Sequence, residues 1–81
     1  MHDEVTAMLD ITREVCPMTY VRTKLKLEAL DEGAVLEVVM RGEEPLKNVP
    51  RNAREEGHEV LSLEPRGDGT HRLLLRKQAG R

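Results

Sequence analysis

Between residues 8 and 12 apolar and polar side chains alternate, Leu9 and Ile11 against Met8, Asp10 and Thr12. That period of two is the mark of a strand with one face in a core. The period then lengthens. From residue 17 to about residue 30, Met18, Val21, Leu25 and Ala29 recur at helical spacing, which predicts a helix whose single apolar stripe packs on a sheet. Tyr20 and Leu27 fall on nearly the opposite side with Lys24 between them, so they are expected in solvent, as isolated surface residues or as a ridge for a partner. Gly33, after Asp31 and Glu32, is the expected helix stop.

Residues 34 to 40 are β-branched and apolar enough for a central strand, with Leu36, Val38 and Met40 on one side and Val35, Glu37 and Val39 on the other. Arg41-Gly42-Glu43-Glu44 reads as a turn. A second helix is expected from Pro45 to Glu56, with Leu46, Val49 and Ala53 inward and Gly57 at its stop. Pro50 has no N–H to donate, which predicts a kink or a fresh helix start. Residues 60–64 and 71–77 read as strands joined through Asp68-Gly69, a hairpin turn signal. Leu61, Leu63, Leu73 and Leu75 form the hairpin's apolar face, with Ser62, Glu64, Arg72 and Arg76 turned away. Asp10, Thr12, Glu37 and Arg41 extend that polar side across the other strands. Both helices therefore belong on the opposite, apolar face, giving an α/β (α+β) two-layer sandwich in the order β-α-β-α-β-β.

Length and composition narrow the function. With 81 residues the chain holds one domain with a thin core, expected over residues 8–77 between a flexible N-terminus (1–7) and a flexible tail (78–81). One cysteine excludes an intramolecular disulfide framework. The first residues, Met1-His2-Asp3-Glu4, lack the basic start and apolar run of a signal peptide, so a cytoplasmic setting is expected. No apolar run approaches the roughly 18–20 residues needed to cross a bilayer. A net charge of −2 and a single aromatic residue, Tyr20, argue against nucleic acid as a partner. His2, His58 and His71 share no metal-ligand spacing with one another or with Cys16, so no metal is expected. No hydrolase order or phosphate-binding glycine loop is recognisable, and no cofactor is expected.

The one stretch with evident chemistry is Val15-Cys16-Pro17-Met18. Proline suits the first position of a helix, which makes Cys16 the expected N-cap and Pro17 the helix opener. There the positive end of the helix dipole favours a thiolate over a thiol. The amides of Met18 and Thr19 and the Thr19 hydroxyl are candidate donors to the sulfur, and Arg13 and Arg22 are cations near the same edge. Arg51 and Arg54 on the second helix are candidates to extend a basic rim.

Leu9-Asp10, Cys16-Pro17, Gly33 before a strand, Glu44-Pro45, Val49-Pro50 and Gly57-His58-Glu59, in this element order, resemble the TusA/SirA-like family of small sulfur-carrier proteins. The resemblance covers residues 8 to 77. It implies a four-stranded mixed sheet with two helices on one face, and sulfur held as a persulfide on the cysteine of a Cys-Pro-x-Pro motif. Here that motif reads Cys16-Pro17-Met18-Thr19, with threonine at the second proline. The implied function is a sulfurtransferase-type carrier that relays sulfane sulfur between a donor, such as a desulfurase or rhodanese, and an acceptor enzyme. Partners would dock transiently on Arg13, Tyr20 and Arg22. The alternative is a regulatory or interaction module of the same fold without sulfur turnover.

Overall fold

The computed structural model describes residues 5–15 and 18–78. Four strands and two helices follow one another as β1 (Ala7–Asp10), α1 (Met18–Glu28), β2 (Val35–Arg41), α2 (Glu43–Glu55), β3 (Glu59–Pro65) and β4 (Thr70–Arg76). The sheet order is β1-β2-β4-β3. β1 pairs in parallel with β2, whereas β4 runs antiparallel to both β2 and β3. The expected two-layer α+β arrangement with a mixed four-stranded sheet is what forms.

β2 and β4 occupy the middle, and their inward residues Leu36, Val38, Met40, Leu73 and Leu75 are fully buried. Ile11 after β1, Leu27 of α1, and Val49 and Ala53 of α2 complete this core. On the other sheet face Val35 and Val39 are also buried, although that side was expected to be largely polar. The register sets Arg76 beside Val35 and Arg72 beside Val39, where methylene arms cover apolar surface while the charged ends stay wet. Arg72 reaches Glu37 at 3.3 Å and Glu64 at 3.8 Å, and Arg76 reaches Glu59 at 3.5 Å.

α1 packs with the opposite face from the one expected. Thr19, Thr23 and Leu27 are buried at 1%, 0% and 0% exposure, whereas Met18, Val21 and Leu25 are exposed at 37%, 38% and 58%. Tyr20 leans on the core from its edge. Threonine is tolerated inside because its polar groups are satisfied locally: the Thr23 hydroxyl donates to the Thr19 carbonyl at 2.9 Å. The helix also ends earlier than Gly33. Its last turn tightens through Ala29 N–H to the Lys26 carbonyl and Leu30 N–H to the Leu27 carbonyl, both 3.1 Å. Lys77 then closes the end, its Nζ donating to the carbonyls of Leu27 (2.7 Å) and Leu30 (3.2 Å). A cation at a helix C-terminus opposes the negative end of the dipole, so Lys77, just past the end of β4, caps α1.

α2 begins two residues before Pro45, with Gly42 as its N-cap, and runs through Pro50 as one helix. Pro45 falls in the first turn, where no N–H is missed. The stop at Gly57 forms as expected. His58 N–H reaches the Ala53 carbonyl at 3.0 Å and Gly57 N–H reaches that of Arg54 at 2.9 Å, the paired bonds of a Schellman motif, with Gly57 at φ 93°. β3 departs from simple alternation. A bulge between Val60 and Ser62 places Val60 against the core and leaves Leu63 at the edge, 40% exposed, so Leu61 is not the inward residue the alternation predicts.

Candidate functional site

β1 and β2 are parallel, and β3 runs with β2 because both oppose β4. Each helix therefore returns from the end of one upward strand to the start of the next, and α1 and α2 both begin at the carboxyl edge of the sheet. In open α/β sheets that edge is where ligands bind, and here two positive dipole ends converge on it.

The connection from β1 to α1 is tied at several points. Ile11 N–H extends the ladder to the Val39 carbonyl at 2.9 Å. Asp10 Oδ1 accepts from the Thr12 amide (2.8 Å) and hydroxyl (2.7 Å). These bonds, the amide's first, hold the Asp10 carboxyl below its usual range. Glu14 N–H donates to the Ile11 carbonyl at 3.1 Å, and Met18 N–H to the Val15 carbonyl at 2.7 Å. Cys16 and Pro17 lie outside the described residues, so the chain is fixed on both sides of them, by Val15 before and Met18 after.

A shallow cleft of about 280 Å³ opens at this edge. Glu14, Val15 and Thr19 form one wall. The other is the start of α2 and the residues before it, Arg41, Gly42, Glu43, Glu44 and Pro45. Gly42 supplies no side-chain cap, so the first amides of α2 have no partner from that residue.

The residues singled out in the sequence are distributed unequally around this cleft. Thr19 is buried against it, and its carbonyl is engaged by Thr23. The Met18 amide, expected to face the sulfur, donates to Val15 instead. Arg22 Nε sits 3.6 Å from Glu14 Oε2, a pair that leaves the arginine half exposed. Arg13 is exposed. Tyr20 is not an outward docking residue. Its hydroxyl is shut from solvent and completes no hydrogen bond among the described residues, and burial, with the Glu56 carboxylate beside it, pushes the phenol well above its ordinary value. Lys24 and Glu56 close over that contact at 3.4 Å.

Sequence reasoning read 41–44 as a plain turn and so missed a whole wall. The usable signal was the β-α-β order itself, which brings the end of β2 beside the end of β1. Among the described residues no cluster of His, Cys, Asp and Glu has the makings of a metal site, and no helix is long and apolar enough to cross a membrane.

Fold and cleft together define a small two-layer α/β domain whose two helices start at one shared, cleft-bearing edge. The family described as Sulfurtransferase TusA matches residues 7–77, and this chain belongs to that family. A relative from Archaeoglobus fulgidus, named "Putative sulfur carrier protein", is 44% identical over 75 residues, covering 93% of this chain and 85% of its own. "Putative sulfur carrier protein YedF" of Escherichia coli K12 is 36% identical over 69 residues, covering 85% and 88%. The crystal structure of a SirA-like protein from Desulfitobacterium hafniense superposes with a TM-score of 0.79 over 91% of this chain and 100% of that one, at 20% identity. That last likeness speaks for the fold.

Proposed function

We propose that this protein is a cytoplasmic sulfur carrier that holds sulfane sulfur as a persulfide on Cys16 and relays it between two protein partners. The observation that carries the reading is that Val15, the residue immediately before the only cysteine, lines the cleft onto which both helix starts open. Membership of a family whose relatives bear the name of sulfur carriers supports it.

In the loading step the Cys16 thiolate attacks the outer sulfur of a donor persulfide. A new S–S bond forms on Cys16, the donor's S–S bond breaks, and its electron pair leaves on the donor thiolate. One persulfide anion and one thiolate enter, and one of each departs, so no oxidant or reductant is consumed. Unloading is the same exchange with this protein as donor. Helix dipoles directed at the edge favour the anionic forms of both states, and Cys16 is expected to titrate below the roughly 8.5 of a free thiol.

The partner surface in this reading begins at Arg13 and Arg22 and continues along the exposed side of α1 through Met18, Val21 and Leu25. Tyr20, which is turned inward, has no part in it. Transient partners bury modest areas with a few apolar anchors, which this short stripe supplies.

Intact mass after incubation with a cysteine desulfurase and cysteine tests the proposal. The expected gain is one sulfur atom, removed by reductant and absent in Cys16→Ser. A wild-type protein that stays unloaded while its thiol remains alkylatable would leave the fold serving as an interaction module.

A further inference from the structure

Loading and unloading each bring two sulfur anions together, and their mutual repulsion must be relieved where they meet. The cleft's walls work against this. Glu14, Glu43 and Glu44 all border it, and of these Glu14 has a counter-charge, Arg22 at 3.6 Å. We propose that Arg41, at the end of β2, is the positioning cation of this cleft, the group that lets an anionic sulfur donor approach the carrier cysteine.

Three observations converge on it. Arg41 is the one lysine or arginine among the described residues that lines the cleft, which it shares with Val15 and Thr19. No carboxylate among the described residues forms an ion pair with it, so its charge is available. Its place is also built. The β3–β4 turn brings Gly69 so close that a Cβ there would lie 3.1 Å from Arg41 Nη1. That turn is locked by Asp68, whose Oδ1 accepts from the Thr70 amide at 3.0 Å and from the Thr70 hydroxyl, and Thr70 is the ladder partner of Arg41. The hairpin thus packs against the guanidinium of a residue that borders the cleft, and no described carboxylate pairs with it.

Selectivity for charge follows. With three carboxylates on its walls the cleft discriminates against anionic reagents, and Arg41 is what moderates the discrimination. The inference rests on Cys16 as the sulfur-bearing residue, and the test separates the two claims. Alkylation rates of Cys16 by iodoacetate, an anion, and by iodoacetamide, which is neutral, are measured at low salt for wild type, Arg41→Lys, Arg41→Gln and, as a control at the far end of α2, Arg54→Gln.

The ratio of anionic to neutral rate should fall about threefold in Arg41→Gln, the size expected for one solvent-exposed charge. It should hold in Arg41→Lys and Arg54→Gln, and the difference should shrink in high salt. An unchanged ratio in Arg41→Gln overturns the role of Arg41. Sulfur loading from a desulfurase is followed on the same proteins. A wild type that never loads defeats the carrier reading, whereas the alkylation ratio still decides on Arg41.

Discussion

Replacing Leu27 by alanine, with Leu25→Ala as its partner, decides which side of α1 is inside. The two positions are about 200° apart around the helix, so a core cannot contain both. Leu27 is fully buried and belongs to the central cluster, whereas Leu25 is 58% exposed. Truncating Leu27 removes about 2 kcal/mol of transfer free energy, and the unfilled space adds more, for a total of about 3 kcal/mol within the usual range for a buried leucine. An 81-residue chain has about 4–12 kcal/mol in all, so the variant keeps its fold but loses between about a quarter and three quarters of its margin. Its melting temperature should drop by about 12–24 °C. Leu25→Ala should stay within about 0.5 kcal/mol, because alanine is the better helix former and little packing is lost. Urea unfolding followed by far-ultraviolet circular dichroism measures both, and it needs no tryptophan, which this chain lacks. If Leu25→Ala were the more damaging of the pair, the helix would be rotated by half a turn and the exposed stripe assigned to partners would belong to the core.

Three further outcomes follow from contacts elsewhere. Lys77→Met keeps the side-chain length but removes the ammonium that caps α1. It should cost about 1–2 kcal/mol in urea unfolding, and a variant as stable as wild type would mean that the cap contributes nothing. Burial first, and then the Lys77 ammonium, holds the His58 imidazole below its ordinary value of 6.5, with Glu56 pulling the other way, while His58 Nδ1 accepts from the Gln78 amide at 3.2 Å. The unfolded chain therefore binds the proton more readily, so this contribution is complete above pH 6.5 and fades as the pH falls through the lower folded value. The urea midpoint should sag over that interval in wild type and less so in His58→Asn; parallel curves would contradict the linkage. Gly57→Ala forces a side chain into the left-handed conformation that ends α2, and a loss of about 1 kcal/mol is expected, measured by thermal unfolding.

Much of this fold is legible in periodicity, and the failures have particular causes. The inward set of β2 is read correctly from Leu36, Val38 and Met40, although Val35 and Val39 on its other side are buried as well. α1 misleads because hydrophobicity was counted without asking which polar side chains can satisfy themselves. Thr19 and Thr23 are as buried as Leu27, and the Thr23 bond to a backbone carbonyl is invisible in a pattern of apolar and polar letters. In β3 the bulge shifts the phase by one residue, and nothing local announces it. Lys77 acts on a carbonyl 50 positions earlier, which no window along the chain can reveal. The site divides in the same way. The stretch around Cys16 is readable from a cysteine, a proline and a helix start, while the opposite wall is made by topology.

The sheet order carries one more consequence. β4 is the last of the four strands to be synthesised, yet every hydrogen-bonded link between β2 and β3 passes through it. Until Arg76 has cleared the ribosome, β2 has an open edge, β3 has no neighbour, and the cap on α1 has yet to be made. Pairings between residues so far apart in the chain form slowly, and open apolar strands are what chaperones recognise and what neighbouring nascent chains stick to. The sheet is therefore completed only once β4 has emerged, and until then its open strands are what other chains can adhere to.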